Sequence, residues 1–282
     1  MKKIFLIILI IIATLSANIT PDGIGVYASL NKENIIKSWT IDCESEYSTS
    51  CYKTALLYYK GEIGNKEKKK VLTKVETYSK DCKNGIAVAC YNLAQIFNLG
   101  DGVKEDKEKA TTFYSKACAS GIAVGCYNIA HIYNNGDGVE EDKEKASKFY
   151  LKGCDYGYFV SCYNLAHMYS NGDGVKEDKK KAAIFYKKAC DEAYAISCFN
   201  LAILFDKGDG IEQDKKKASK LYSQACASGL GVACYNLGLL YAFGKGVGQN
   251  LGIAKELFEI ACDSGYSNGC ENYKILKDQG VN

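Results

Sequence analysis

Fourteen cysteines fall into seven pairs with one internal spacing: Cys43 and Cys51, Cys82 and Cys90, Cys118 and Cys126, Cys154 and Cys162, Cys190 and Cys198, Cys226 and Cys234, Cys262 and Cys270. From Cys82 onward the pairs recur every 36 residues, and only the first interval is longer, by three. A fixed period in this range specifies a solenoid, because one supersecondary unit cannot bury its apolar face alone and must stack on copies of itself. The length of 282 residues would also accommodate one or two globular domains, so the period decides the architecture.

Each second cysteine from Cys90 to Cys234 opens a near-copy of one segment, as in "CYNLAQIFNLGDGV" and "CYNIAHIYNNGDGV". Its apolar residues recur at three- and four-residue intervals, the signature of one helix face. Glycine then ends the helix. Asp106, Asp142, Asp178, Asp214 and, in the last unit, Asn250 follow; their side-chain oxygens can accept from the free N–H groups of a helix start. Asn31 supplies the same signal twelve residues before Cys43. The expected unit is a pair of antiparallel helices. Seven fit, at roughly 31 to 60, 66 to 99, 106 to 135, 142 to 171, 178 to 207, 214 to 243 and 250 to 277. In five turns a glycine stands three residues after the first cysteine (Gly85, Gly121, Gly157, Gly229, Gly265), suited to the left-handed conformation that terminates a helix. Glu46 and Ala193 break that rule, so their turns must differ or be strained.

Residues 1–17 combine Lys2 and Lys3, an apolar run from Ile4 and small residues at Ser16 and Ala17, the pattern of a cleaved signal peptide. The run is shorter than the ~20 residues that span a bilayer, which weighs against an uncleaved anchor. Residues 18–30 then form a linker, 31–277 the repeat array and 278–282 a tail. An even number of cysteines in an exported chain implies disulfides and a secreted or periplasmic location. The short Cys-x2-Cys spacing of structural zinc sites is absent, and no metal or other cofactor is expected. The 36 basic side chains are all lysine and are balanced by 33 acidic ones, which argues against nucleic acid as a partner. Stable membrane insertion after cleavage is not expected, and the chain is read as a monomer.

These repeats resemble Sel1-like repeats, relatives of the tetratricopeptide repeats, and the cysteine pair in every unit makes the chain similar to the Helicobacter cysteine-rich protein family. The resemblance covers residues 31–277. It implies an all-α solenoid, a right-handed superhelix of helix pairs with a concave surface, in which each hairpin is stapled locally, Cys118 to Cys126 and likewise in all seven. It also implies penicillin binding or slow β-lactamase activity. A serine β-lactamase needs Ser-x-x-Lys with Ser-Asp-Asn and Lys-Thr-Gly elements. Only Ser-x-x-Lys occurs, at Ser29 to Lys32 and Ser50 to Lys53, at the frequency that composition alone produces, and neither supporting element is present. The catalytic residues of any such activity are not legible.

The "GDGV" loops each bring one carboxylate, too few for calcium, and read as turn closures. By analogy with tetratricopeptide repeats, the concave groove takes the residue after each second cysteine: Tyr91, Tyr127, Tyr163, Phe199 and Tyr235. Gln95, His131 and His167 stand four residues further on, at one repeat position. Asn98, Asn134, Ser170 and Asp206 extend the face. An aromatic stripe with amides and histidines suits a peptide, a partner protein or a cell-wall fragment; inter-repeat packing is the competing role for the aromatics. The asparagine two after each second cysteine (Asn92, Asn128, Asn164, Asn200, Asn236, Asn272) does not vary among the units that carry it, so it reads as structural, a bridge between neighbouring units.

Overall fold

The computed structural model describes residues 65–281, with side chains from residue 71. The signal segment, the linker, the first hairpin with Cys43 and Cys51, and both Ser-x-x-Lys spacings lie outside the described residues. The described residues are all-α: α1 (Asn65–Lys83), α2 (Ala87–Leu99), α3 (Lys107–Ala119), α4 (Ala123–Asn135), α5 (Lys143–Asp155), α6 (Phe159–Asn171), α7 (Lys179–Asp191), α8 (Ala195–Lys207), α9 (Lys215–Ala227), α10 (Gly231–Phe243), α11 (Leu251–Asp263) and α12 (Ser267–Asp278). They belong to two compact units. The larger is Leu72–Leu99 with Lys104–Asn282; the smaller includes, of the described residues, 65–71 and Gly100–Val103. All that follows concerns the larger.

The first helix of each hairpin from α3 onward begins at the aspartate or asparagine that the sequence marks. The carboxylate of Asp106 accepts from the backbone N–H of Lys109 at 2.9 Å, that of Asp142 from Lys145 at 2.8 Å, and Asn250 serves Ile253 in the same way at 3.0 Å. The second helices stop at left-handed glycines, Gly136, Gly172, Gly208 and Gly244, with φ between 63° and 69°. Each following loop folds back so that the N–H of the next cap bonds the last turn, Asp142 to the Tyr133 carbonyl and Asp178 to the Tyr169 carbonyl, both at 2.9 Å.

The two ends of a hairpin are closed differently. At the turn end, disulfides join Cys82–Cys90, Cys118–Cys126, Cys154–Cys162, Cys190–Cys198, Cys226–Cys234 and Cys262–Cys270. Beside each, a Schellman-type turn satisfies the last carbonyls, with the Ile122 N–H on Ala117 and the Gly121 N–H on Cys118, both at 3.0 Å. At the open end, the second glycine of the loop lies against the start of the same hairpin's first helix. A Cβ at Gly174 would stand 2.3 Å from the Lys143 Cβ. The aspartate between the glycines pairs with that lysine: Asp137 with Lys107 at 2.9 Å and Asp173 with Lys143 at 2.8 Å. In these turn-closing loops the aspartate therefore neutralises the lysine at the start of the same hairpin's first helix.

Ala193 is the one non-glycine residue among those described with positive φ, at 59°. Its equivalents Gly121, Gly157 and Gly229 have open space where a Cβ would go, so the strain at Ala193 is backbone preference and not crowding. Left-handed backbone costs an L-residue about 1–2 kcal/mol, partly offset by the greater unfolded freedom of glycine. Ala193→Gly is expected to raise stability by about 0.5–1 kcal/mol, read as a higher urea midpoint at unchanged slope.

The core is a ladder of small and aromatic residues. Ala110, Ala146, Ala182, Ala218 and Ala254 on the first helices, and Ala94, Ala130, Ala166 and Ala202 on the second, are fully buried. They let helices approach closely around Tyr114, Tyr150, Tyr186, Tyr222 and Phe258. From α3 to α10 a second helix packs more extensively on the next hairpin than on its own partner helix. Neighbouring hairpins therefore share one continuous interior.

Candidate binding face

The aromatic residue after each second cysteine is half-buried, and it leans on the buried ring of the next hairpin. Ring centroids lie 5.8 Å apart for Tyr91–Tyr114, 6.0 Å for Tyr127–Tyr150, 6.0 Å for Tyr163–Tyr186, 5.8 Å for Phe199–Tyr222 and 5.6 Å for Tyr235–Phe258. The expected ligand stripe is thus first an inter-hairpin packing seam, because a second helix must bury one side on its neighbour. Desolvation drives the phenols of Tyr114 and Tyr150 above the ordinary tyrosine range, and pushes those of Tyr186 and Tyr222 up to about 12.

Three of the repeated asparagines serve these buried phenols. Asn128 bonds Tyr114, Asn200 bonds Tyr186, and Asn236 bonds Tyr222, each within one hairpin. Asn200 also bonds Tyr163 of the preceding hairpin. The expected bridge between units is thus made at Asn200, while Asn128 and Asn236 serve the phenol of their own hairpin and Asn164 donates to the Val160 carbonyl one turn back at 2.8 Å.

Along the exposed edge of the second helices runs a polar stripe. Gln95 donates to the Tyr91 hydroxyl, and its position is taken by exposed His131 and His167 in the next two hairpins. His131 lies on Tyr127, 6.0 Å between ring centres, with the Asn135 amide at 3.1 Å; His167 repeats this with Tyr163 and Asn171 at 6.3 and 3.0 Å. Between α2 and α4 an open recess of about 380 Å³ is lined by Tyr91, Gln95, Asn98, Tyr127, Asn128 and His131, together with Tyr114, Ile132 and Asp137. Five expected face residues therefore share one cavity: Tyr91, Gln95, Asn98, Tyr127 and His131.

Other expected face residues have different employment. Asp206 accepts from the Lys215 ammonium at 2.6 Å, the Ser170 carbonyl takes Lys179 at 2.6 Å, and Asn98 takes Lys107 at 3.2 Å. Asn134 donates to the neighbouring Asn135 side chain at 2.9 Å. Asp206 in particular is a structural counter-charge. Its hairpin's successor carries Lys245 where the other loops have aspartate, so Lys215 draws its carboxylate from the preceding helix. Sequence reasoning missed a second aromatic group, Tyr158, Phe159 and Tyr194, at the start of second helices. Tyr158 lies 5.2 Å from Tyr127, and Tyr194 lies 5.3 Å from Phe159 and 5.4 Å from Tyr163. The available signal was the position four before each second cysteine, which holds Tyr47, Tyr158, Tyr194 and Tyr266 in four units and Ile86, Ile122 or Leu230 in the others; Tyr266 likewise lies 5.1 Å from Tyr235.

The model of the Sel1 repeat matches residues 48–70, 87–122, 123–158, 160–194, 195–230 and 231–266. The chain belongs to the Sel1 repeat family. Among solved structures, this Sel1 repeat protein is similar to c5321, described as a protective antigen of uropathogenic Escherichia coli with an SLR fold. Identity is 24%, the TM-score is 0.69, and the match covers 90% of this chain and 53% of that one. A Sel1 repeat protein from Oxalobacter formigenes matches at 23% identity and a TM-score of 0.55, over 65% of this chain and 75% of that one. Helicobacter pylori cysteine rich protein B shares 27% identity over 46% of this chain and 94% of its own, with a TM-score of 0.38. No curated protein sequence matches the chain. The fold is thus a Sel1 repeat scaffold, and its six described disulfides are the mark of an oxidising extracellular or periplasmic environment. No described helix is long and apolar enough to cross a membrane.

Proposed function

We propose that this Sel1 repeat protein is an exported binding scaffold that holds an extended peptide segment of a partner protein along its second helices. The observation that carries the reading is the recess between α2 and α4, where half-buried tyrosines and the polar ends of Gln95, Asn98 and His131 converge on one open cavity. Tyrosine rings offer contact area at low entropic cost, and side-chain amides and an imidazole pair with peptide N–H and C=O groups. The stripe continues in register to Tyr163 and His167, as a ligand lying across successive hairpins requires. The signal-like residues 1–17 and the disulfides support export.

An array of random-sequence peptides probed with the purified protein, followed by fluorescence titration of the captured sequences, tests this. Gln95 and His131 touch the seam only at its edge, so Gln95→Ala with His131→Ala is expected to leave the helical spectrum unchanged. Loss of two hydrogen bonds at about 1 kcal/mol each should weaken binding roughly tenfold or more. Affinity that does not change, or an array with no captured peptide, overturns the reading.

A further inference from the structure

The open end of the α9/α10 hairpin departs from the three hairpins before it. A wide, shallow surface recess of about 680 Å³ lies there, with Lys216, Lys220, Ser219, Tyr241 and Gly248 in its lining. At the position of Lys216 the earlier helices carry Glu108, Glu144 and Lys180, and at that of Lys220 they carry Thr112, Lys148 and Ile184. In α5 the two positions form an ion pair, Glu144 with Lys148 at 2.7 Å. In α9 they hold two exposed lysines one turn apart, a like-charge pair that opposes helix stability. Neither ammonium has a partner among the described residues.

The loop that borders the recess has lost its acids. Asp137, Asp173 and Asp209 give way to Lys245, whose ammonium lies 5.2 Å from the centre of the Phe243 ring. The position of Glu140, Lys176 and Glu212 becomes Gly248. No packing demand explains that glycine. A Cβ on it would meet nothing within 4 Å and its φ lies outside the left-handed region, whereas a Cβ on the neighbouring Gly246, φ +76°, would stand 2.4 Å from Lys215. The effect of Gly248 is to keep a side chain out of the recess. The swap at Asp206 completes the picture, because Lys215 is neutralised from the preceding hairpin and leaves this loop free of carboxylates.

We propose that the recess at the open end of the α9/α10 hairpin binds a small molecule carrying a phosphate-type oxyanion. Lys216 and Lys220 meet the charged group as compact ammonium donors, and Tyr241 borders the remainder. The Ser219 hydroxyl is committed to the Lys216 carbonyl at 2.9 Å, so the lysines carry recognition. The recess is broad and open, so a body such as a sugar ring can lie beside the anion without meeting protein atoms.

Calorimetric titration of the full chain at low salt with glucose 6-phosphate, inorganic phosphate and glucose tests the site. Glucose 6-phosphate is expected to bind, more weakly as salt rises, and glucose not to bind. Inorganic phosphate binding as well as the sugar phosphate would support the site with the free anion as its ligand; weaker binding of phosphate would support a phosphorylated one. Lys216→Glu with Lys220→Glu should reduce affinity at least tenfold. Gly248→Glu, which the open space accommodates without disturbing the fold, should do the same and decides the matter if the double variant is unstable. Absence of binding by both phosphate probes, equal binding of glucose, or affinity unaffected in a folded variant would overturn the proposal.

Discussion

Reduction of the disulfides is expected to unfold the repeat array at room temperature, seen as loss of the helical far-UV signal when dithiothreitol is added and as a collapse of the urea midpoint. Each bond closes a loop with a sequence separation of eight. The chain-entropy relation assigns such a loop about 2–3 kcal/mol. In a solenoid, total stability is close to a sum over units and interfaces, so six such contributions, about 12–18 kcal/mol together, are as large as the whole ~5–15 kcal/mol by which folded domains are usually stable. One pair removed alone, by Cys154→Ala with Cys162→Ala, should cost about 2–3 kcal/mol and leave the fold intact. A helical spectrum and urea midpoint unchanged by full reduction would show that the hairpins are held by packing alone.

Gly174→Ala is expected to be strongly damaging for a change of one methyl group. The residue has φ +69°, and the new Cβ would lie 2.3 Å from the Lys143 Cβ and 2.7 Å from its carbonyl carbon. A helix backbone cannot yield by that much, so left-handed strain of about 1–2 kcal/mol combines with overpacking of about 1–3 kcal/mol, for a loss near 3 kcal/mol or more. Displacing the loop also breaks the Asp173–Lys143 pair. Gly157→Ala is the control. It has φ +86° but open space around the Cβ, so only the strain applies. Urea unfolding should therefore rank Gly174→Ala well below Gly157→Ala; equal losses would mean that the loop does not rest on the helix as described.

What was legible in the sequence was what each residue decides locally. Asp106 marks a helix start whatever surrounds it, Gly121 a left-handed turn, and the apolar spacing after Cys126 a helix face. Ala193 was legible even as an exception. Less legible was the division of labour on one face. Tyr127 is the same letter whether it touches a ligand or the ring of Tyr150, and only the packing direction of α4 on α5 shows that it does the latter with one side. The ion pair of Asp206 was hidden for a related reason. Its meaning depends on Lys215 nine residues on and on the aspartate missing at 245, a three-way relation that no single position reveals. The acid-free recess beside Lys216 escaped notice because its members look ordinary until they are set against their counterparts in the other hairpins.

The two closures of each hairpin, a disulfide at one end and a glycine loop seated on its own first helix at the other, have a bearing on how the chain matures. Both join residues that lie within a single 36-residue period, and the aromatic seam reaches only into the next period. Long-range chain closure, the slow and entropically costly step in most folds, is hardly needed. A polypeptide delivered end-first can finish one hairpin, oxidise its pair of thiols and offer a completed ring surface before the following hairpin arrives. Mispairing among the many cysteines is thereby limited by timing, since the correct partner is always the nearest one already in place.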